Sequence, residues 1–308
     1  MIQKSTLKYY IAGIVAFIVW GAFAIPLKAL HAYPSMQILE YRVFTALLLL
    51  AVIILTIGRA NLKKDIQVFK NLSRPGRAKL AGLIFLSSIL LMVNWFTFIY
   101  AVNHVSLTSA AFAYMVCPLL TALGGFFILK EQLTRVKLIG LIIAICSILL
   151  LATGSLREVL WSVGIASVYA MYLIIQRFIT QLNRLNMLGI NLAISTLFML
   201  PYFIINAAPV PEAADFWLLI LVVALVFTII PLFLNLYALI ELPSSTLGII
   251  MYINPIIAFL IAFIHFKEPY HTSQLLAYSL LFVAVIVFNL GVFTGNNGRM
   301  KSSAKAKA

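Results

Sequence analysis

The sequence predicts an all-α membrane protein of ten transmembrane helices, arranged as two five-helix repeats in inverted orientation. Three observations support this fold class: a high hydrophobic content, ten apolar runs of spanning length, and an internal repeat. Hydrophobic residues make up 64% of the 308 residues and charged residues only 10%, whereas a soluble domain is roughly half apolar and about a quarter charged. The composition therefore excludes a soluble globular protein.

Ten apolar runs predict the spanning helices, because a hydrocarbon core about 30 Å thick requires roughly 20 apolar residues per helix. The runs lie at residues 9–30, 36–57, 80–102, 105–129, 136–153, 159–176, 186–206, 216–240, 244–266 and 272–294. The first run follows Lys4 and Lys8 and contains Ala22-Phe23-Ala24, a pattern that also occurs in cleaved signal peptides. Pro26 and the apolar sequence up to Leu30 favour a retained helix.

The distribution of Lys and Arg predicts the orientation in the membrane. If the N-terminus is cytoplasmic, the inner segments contain 18 of these residues, and the outer segments contain three, namely Lys28, Arg157 and Lys267. Because cytoplasmic loops are enriched in Lys and Arg, we predict a multi-pass protein of the cytoplasmic (inner) membrane with both termini in the cytoplasm. The formal charge of +14 then arises from these loops, and no nucleic-acid partner is expected.

An internal repeat relates the two halves of the chain. Residues 96–154 match residues 233–291 without a gap. We call the shift that moves Phe96 onto Phe233 the main offset, and the other matching pairs include Tyr100/Tyr237, Ala101/Ala238, Pro118/Pro255, Lys130/Lys267, Glu131/Glu268 and Gly154/Gly291. The first two spans of each half correspond more weakly at a second offset, through the pairs Trp20/Tyr169, Phe23/Tyr172 and Lys28/Arg177.

The repeat predicts how the chain is divided. Spans three to five correspond to spans eight to ten, so each repeat contains five helices, and an odd number inverts the second copy in the membrane. We predict a first repeat at residues 1–154, a second repeat at 155–294, and a basic, disordered cytoplasmic tail at 295–308.

Three stretches of the sequence carry a family resemblance. They are Gln37-Ile38-Leu39-Glu40-Tyr41-Arg42, then Asn94-Trp95-Phe96 with Phe98-Ile99-Tyr100-Ala101-Val102-Asn103-His104, and finally Leu242-Pro243-Ser244-Ser245-Thr246-Leu247-Gly248 with Tyr252-Ile253-Asn254-Pro255 and Lys267-Glu268-Pro269. These stretches are similar to the RarD branch of the EamA-like drug/metabolite transporter superfamily. The resemblance implies ten helices in two inverted halves and a permease, more commonly an exporter. Many RarD-like proteins are described as chloramphenicol-related permeases without a defined substrate.

We expect a secondary active transporter of a small organic metabolite or drug that works by alternating access, with a passive channel or facilitator as the alternative. The sequence has no P-loop, so transport would use an ion gradient, exchange or the substrate gradient. An intramembrane enzyme is disfavoured because the H-E-x-x-H and G-x-S-x-G motifs are missing from the sequence, and no catalytic residue is expected. No cofactor or metal site is expected, since Cys117 and Cys146 lie in apolar runs.

Two charged residues near the start of span two are candidates for function. Arg42 lies about six residues inside the span, where a guanidinium requires a wet cavity or a partner. It could bind an anionic group of the substrate, as the matching Arg of the resembling family suggests, or it could brace the bundle through backbone carbonyls. Glu40, about 200° around the helix, is a candidate for proton coupling, with a solvated helix end as the alternative.

Aromatic and amide residues within the spans predict a central binding site, because aromatic walls with a few polar groups are typical of small-molecule pockets. These candidates for substrate binding are Trp20, Asn94, Trp95, Tyr100, Tyr114, Tyr172, Tyr252 and Asn254. Hydrogen bonding between helices is the alternative role for some of them.

Two prolines and two glutamates at repeated positions predict gating and capping. Pro118 and Pro255 each remove a helical hydrogen bond in mid-span, freeing the carbonyls of Tyr114 and Met251. They are candidate hinges for gating, with a packing role as the equal alternative. Glu131 and Glu268 follow a lysine at helix ends, where an ion pair or a capping role is favoured over catalysis.

The expected partners are a small-molecule substrate with an anionic group, the lipid bilayer, and a coupling proton or ion. Both a monomer and a homodimer are open, although a single chain contains both halves of the transporter. Substrate identity and transport direction do not follow from the sequence.

Overall fold

The computed structural model describes residues 4–104, 107–151, 156–206, 209–267 and 272–293. These residues form helices joined by short connections, and no strand occurs among them. The all-α prediction is confirmed for this part of the chain. The predicted tail at 295–308 and the predicted cap Glu268 lie outside the described residues.

The helices mostly follow the apolar runs. They are α1 (Lys4–Gly21), α2 (Ala24–Ala29), α3 (Ser35–Thr56), α4 (Arg59–Asn71), α5 (Arg74–His104), α6 (Leu107–Leu129), α7 (Arg135–Leu151), α8 (Leu156–Phe178), α9 (Arg184–Ile205), α10 (Ala214–Ala224), α11 (Ile230–Ala238), α12 (Ser244–Ile250), α13 (Ile253–Ile264) and α14 (Thr272–Phe293). A π-helical segment, Leu225–Ile229, joins α10 to α11. Helix α4 was not predicted as a helix because it lies outside the apolar runs.

Several helices have the length and apolar composition of membrane spans. Within the described residues there are seven such stretches: Thr6–Ala29, Ser35–Thr56, Arg74–Phe98, Val159–Phe178, Arg184–Ile205, Ala214–Ala238 and Ser244–Ile261. Shorter apolar stretches occur at Ala113–Leu129 and Leu275–Leu290. Leu48, Leu149 and Ile204 are each about two-thirds exposed at the protein surface, and so much exposed apolar surface marks contact with a membrane. The chain is a multi-pass membrane protein.

The largest core lies where helices from both parts of the chain meet. Helix α8 packs along α6 and α5, and α7 packs along α14, in the most extensive helix contacts of the described chain. Phe17 of α1, Tyr172 of α8 and Tyr252, between α12 and α13, are fully buried in this core. Burial of large aromatic side chains at the centre places polar tyrosine hydroxyls inside the bundle.

Connections rich in Lys and Arg meet at one end of the bundle. The Asp65 carboxylate of α4 accepts the backbone N–H of Asn183 at 3.0 and 3.2 Å. The Glu131 carboxylate accepts the backbone N–H of Ser244 at 2.7 Å, and Arg177 donates to the carbonyl of Leu239. We call this end the basic end, and it consists of α4 and residues 130–134, 179–183 and 239–243.

Other connections meet at the opposite end. The Lys28 ammonium lies 3.7 Å from the centroid of the Phe266 ring. Gln37 donates its side-chain N–H to the carbonyl of Pro209 at 2.9 Å. The described connections of the apolar helices therefore lie at two opposite ends of the bundle.

The two sequence offsets reappear in the structure. At the second offset, α3 and α9 coincide at both ends, and each contains 22 residues. Lys130 and Lys267, which match at the main offset, have φ angles of 56° and 52°. A left-handed backbone conformation is uncommon for lysine. Its occurrence at both matching turns supports a structural correspondence between the two halves of the chain.

The two prolines occupy different helical contexts. Pro118 is buried inside α6, and a Cβ on Gly248 would lie 3.0 Å from the Pro118 carbonyl oxygen, so α6 and α12 approach closely here. Pro255 lies in the first turn of α13, after a break at Met251-Tyr252. The Met251 carbonyl, predicted to be freed by Pro255, accepts the Asn254 N–H at 3.0 Å. That detail of the prediction was wrong, because a tighter turn at the break supplies a new donor.

Candidate functional site

Arg42 lies between two aromatic rings. It is in α3, seven residues after the helix begins at Ser35. Its guanidinium carbon is 5.6 Å from the centroid of the Phe23 ring and 5.4 Å from the centroid of the Trp95 ring, within the range of cation–π attraction. The buried Nε of Arg42 has no hydrogen-bond partner among the described residues. The cation is stabilised by rings, and part of its hydrogen-bonding capacity is unused.

Tyr114 and Phe98 extend this arrangement. Tyr114, four residues before Pro118 in α6, lies near Arg42. The Phe98 ring lies 5.2 Å from the Tyr114 ring, measured between centroids. We call these residues the Arg42 group: Phe23, Arg42, Trp95, Phe98 and Tyr114.

Sequence reasoning selected three members of the Arg42 group and missed Phe23 and Phe98. Signals for both were present, since Phe23 matches Tyr172 at the second offset and Phe98 lies in one of the family-like stretches. The chain contains 22 phenylalanines. Residue type alone does not separate these two rings from phenylalanines that face lipid.

Trp20 lies beside the Arg42 group but is already hydrogen-bonded. Its indole N–H donates to the carbonyl of Phe227 at 3.1 Å. The Phe227 ring in turn lies 5.6 Å from the Phe23 ring. The π-helical segment thus uses one backbone carbonyl to hold Trp20, and this contact fixes the end of α1 next to Phe23.

Glu40 is buried, not a solvated helix end. Its side chain is 6% exposed, and Oε1 has no hydrogen-bond partner within the described part of the chain. A carboxylate in such surroundings is costly unless it is protonated or reached by water. The arrangement leaves Glu40 available for proton coupling, which stays a prediction.

Polar side chains occupy the centre of the core. The rings of Tyr169 and Tyr172 stack at 5.6 Å between centroids, and Asn235 donates to the Tyr169 hydroxyl at 3.3 Å. Cys117 is buried in the same core as Tyr169 and Tyr252. Tyr252 is fully buried, and its hydroxyl lacks a hydrogen-bond partner among residues that the structure describes. Tyr172 and Tyr252 therefore lie in the core, and Tyr169, on which Tyr172 stacks, lies near Tyr114 of the Arg42 group.

The described contacts of three other predicted binding residues involve residues outside the Arg42 group. Asn94 donates to the carbonyl of Ile165 at 3.1 Å and so joins α5 to α8, which is the helix-bridging alternative. Tyr100 is 37% exposed and stacks on Trp161 at 5.2 Å between ring centroids. The backbone oxygen of Asn254 faces Gly21 of α1, where a Cβ would come within 2.9 Å of it.

A second polar cluster surrounds Asn191. The Asn191 side-chain oxygen accepts the hydroxyls of Ser87 at 3.2 Å and Ser88 at 2.9 Å. Tyr172 of α8 lies near both Asn191 and Gln176, and all of these side chains are buried. Asn191 follows the start of α9 by seven residues, as Arg42 follows the start of α3. A neutral amide thus occupies the position in α9 that matches the arginine of α3.

The side chains that could bind a metal ion do not cluster within the described residues. No group of three or more His, Cys, Asp or Glu side chains is placed to hold a metal ion within the described residues. Cys117 is buried and Cys146 is exposed, and both are free thiols. The described site is therefore aromatic and cationic in character.

Comparison with known proteins places this arrangement in a family. The EamA-like transporter family matches residues 7–153 and again residues 156–290. The chain belongs to the EamA-like transporter family. The two matches together cover most of the chain, and they include every residue of the Arg42 group.

Relatives of this EamA-like chain include proteins called RarD. The chain is 30% identical over 299 residues to the uncharacterized transporter YojE of Bacillus subtilis (strain 168), covering 94% of this chain and 95% of the relative. It is 28% identical to Protein RarD of Salmonella typhi, covering 94% and 96% respectively. Protein RarD of Escherichia coli (strain K12) is 26% identical, again over 94% of this chain. The predicted resemblance to RarD-like EamA proteins is confirmed.

A crystal structure also matches this EamA-like chain. The TM-score is 0.75 at 17% sequence identity, and the match covers 94% of this chain and 98% of the other. At this identity the likeness concerns the fold alone.

Proposed function

We propose that the protein is a secondary active transporter that exports a small organic metabolite or drug by alternating access, and that an anionic group of the substrate binds Arg42. The observation that carries this proposal is the Arg42 guanidinium between the rings of Phe23 and Trp95, with its buried Nε unpartnered among the described residues. A carboxylate or phosphate oxygen would complete the hydrogen bonding of this planar donor. The adjacent rings would contact the apolar part of the substrate.

The family relationship favours transport over the other classes considered. The family is described as transporters, and the relative from Bacillus subtilis is named an uncharacterized transporter. An intramembrane enzyme would need a nucleophile with a base, a metal, or facing carboxylates. The Arg42 group contains one cation and four aromatic side chains, which suits binding more than bond cleavage.

We infer ten spans in two inverted five-helix halves, divided near residue 154. The family matches the chain twice, and α3 and α9 coincide at both ends at the second offset. The left-handed lysines 130 and 267 recur at the same offset. In this arrangement Arg42 and Asn191 lie at equal depths of about 10 Å from opposite membrane surfaces, at 1.5 Å per residue. A substrate would pass from an amide-lined half to an arginine-lined half.

The orientation proposed for this bundle places the basic end in the cytoplasm. Seven Lys and Arg residues lie between residues 59 and 79 alone, on or beside α4. An excess of such residues is typical of cytoplasmic loops. Both termini would then also be cytoplasmic, and the membrane would be the cytoplasmic (inner) membrane.

Alternating access would require the basic end to open and close. Glu131 fastens the α6–α7 connection to the start of α12 through three hydrogen bonds of 2.7 to 2.9 Å. The close contact between Gly248 and the Pro118 carbonyl lies farther along the same two helices. We propose that α6 and α12 separate at Glu131 and pivot near Pro118, with the break before Pro255 as the matching pivot. Glu40 is the proposed site of proton coupling.

A binding experiment tests the proposal. Purified protein is heated with carboxylic acids, phosphorylated metabolites and amphenicol drugs, for wild type, Arg42→Ala and Arg42→Lys. A ligand that binds only folded protein adds about 2.7 kcal/mol of stability at 100 times its Kd. We expect acidic ligands to stabilise wild type, to fail with Arg42→Ala, and to bind Arg42→Lys weakly. The exposed Arg157→Ala is the matched control and should respond like wild type.

Two outcomes would contradict the proposal. Equal stabilisation of wild type and Arg42→Ala would show that Arg42 does not bind the substrate. In proteoliposomes, flux of the identified ligand without saturation or counterflow would favour the passive channel. Saturable counterflow is the result expected for alternating access.

A further inference from the structure

Helix α4 is amphipathic and lies at the basic end between α3 and α5. Successive residues of a helix are separated by about 100°. Leu62, Ile66 and Phe69 therefore form one apolar stripe. The cations beside this stripe share one narrow sector of the helix surface, namely Arg59, Lys63 and Lys70. We call this the basic flank of α4.

The single acidic residue of α4 points elsewhere and is already engaged. Asp65 lies on the other side of the apolar stripe from the basic flank. Its carboxylate accepts the Asn183 backbone N–H at 3.0 and 3.2 Å and the Asn186 side-chain N–H at 2.6 Å. The aspartate therefore fixes which side of α4 faces α9, and it does not neutralise the basic flank.

The outward part of α4 combines apolar and cationic surface. Ile66 is 46% exposed and Phe69 is 36% exposed. Arg59, Lys63 and Lys70 are exposed beside them. Only two residues separate α4 from the end of the membrane-spanning α3 at Thr56, so α4 lies at the level of the membrane surface. Exposed apolar residues next to cations are typical of helices that lie in the lipid interface.

We propose that the basic flank of α4 binds the anionic headgroups of phospholipids. Charge complementarity identifies the ligand as an anionic lipid. The three cations lie beside Ile66 and Phe69, whose side chains would enter the boundary between headgroups and acyl chains. Each Lys or Arg near an anionic membrane surface adds about a factor of five to binding. Lys64, about 100° beyond Lys63, points away from the apolar stripe and is not part of the site.

Lipid bound here would restrain helices that carry the Arg42 group. Helix α4 connects α3, which contains Arg42, to α5, which contains Trp95. Asp65 also ties α4 to the start of α9. An anionic lipid would thus stabilise the arrangement of three spans at once. The effect on transport rests on the proposed function, whereas the binding of lipid does not.

The experiment compares two double variants of equal charge. Full-length protein in neutral detergent is titrated with phosphatidylglycerol or phosphatidylcholine while its unfolding temperature is measured. We expect phosphatidylglycerol alone to stabilise wild type, and K63Q/K70Q to require about 25-fold more of it for the same stabilisation, at a factor of about five per lysine. The control K64Q/R135Q removes the same charge from exposed positions and should respond like wild type.

Several results would overturn the proposal. Identical titrations of wild type and K63Q/K70Q would show that the basic flank does not bind lipid. Equal weakening in both double variants would indicate net charge and not a site. Inorganic phosphate, tested alone, should act equally on wild type and K63Q/K70Q, since any binding at Arg42 is the same in both. A phosphate effect that is weakened in K63Q/K70Q as strongly as the effect of phosphatidylglycerol would reassign the site to a soluble anion.

Discussion

Glu131 and Ser244 are joined by two short hydrogen bonds, because the Glu131 Oε1 atom accepts both the backbone N–H and the hydroxyl of Ser244 at 2.7 Å. Its other oxygen accepts the Ser245 N–H at 2.9 Å. A Cβ on Gly125 would lie 2.7 Å from both the glutamate and the serine oxygen, so glycine leaves room for the pair. A residue after α6 thus caps the start of α12, which confirms the capping role predicted for Glu131.

Removing this cap should loosen the basic end. Glu131→Ala leaves two backbone N–H groups at the start of α12 without a carboxylate partner, and we expect a loss of about 1–2 kcal/mol of stability. Glu131→Gln keeps one acceptor oxygen and should lose less. Unfolding by denaturant measures both, with the exposed neighbour Gln132→Ala as the control. Equal stability of Glu131→Ala and Gln132→Ala would contradict a stabilising role for this contact.

Two glycines should respond oppositely to the same substitution. A Cβ on Gly21 would lie 2.5 Å from the Ile257 Cβ, whereas one on Gly82 would meet nothing within 4 Å. We expect Gly21→Ala to cost about 1–3 kcal/mol through overpacking of α1 against α13. Gly82→Ala should be neutral or should stabilise by up to about 1 kcal/mol through helix propensity. The unfolding temperatures of Gly21→Ala and Gly82→Ala test this expectation. Equal changes in both variants would contradict the close approach of α1 to α13 at Gly21.

Asp65 should hold α4 in place. Asp65→Ala removes the acceptor for the Asn183 and Asn186 N–H groups, and we expect a loss of about 1–3 kcal/mol at this contact. The change should appear as faster hydrogen exchange in residues 59–71 and at the start of α9. Gln67→Ala, exposed on the same helix, serves as control. Unchanged exchange in both variants would mean that α4 is held by its apolar contacts alone.

Glu40 should determine whether transport depends on protons. If the buried carboxylate binds and releases a proton in each cycle, Glu40→Gln should abolish transport driven by a pH gradient. Exchange of substrate for substrate should persist, because the Arg42 group is intact. Proteoliposomes with and without an imposed pH gradient distinguish the two activities. Gradient-driven transport at the wild-type rate in Glu40→Gln would exclude this coupling role.

The sequence predicted the elements of this fold better than their contacts. The apolar run at 36–57 and helix α3 at Ser35–Thr56 differ by one residue at each end, because spanning length and hydropathy are local properties. Helix α4 was missed because only its amphipathic pattern marks it. The pairing of Arg42 with Trp95 could not be predicted, since it depends on how α3 and α5 rotate against each other.

The rotation of each helix also determines which of the predicted binding residues contact Arg42. Asn94 and Trp95 are neighbours in the sequence, yet Asn94 donates to Ile165 of α8 and Trp95 contacts Arg42 of α3. Adjacent residues on a helix point about 100° apart, so one can bridge helices while the other faces the site. Tyr100 stacks on Trp161 of α8. All of these side chains were predicted as binding residues because they are aromatic or amide residues within the spans, and residue type alone does not distinguish their contacts.

The incompletely bonded guanidinium of Arg42 has a kinetic consequence. A cation enclosed without an anionic partner costs free energy, so closure around the empty site is less favourable than closure around a bound anion. The unloaded carrier would then reorient slowly, and a second anion waiting on the far side would hasten its return. Under the proposed alternating access with an acidic substrate at Arg42, exchange of one acid for another would therefore be faster than return of the empty carrier.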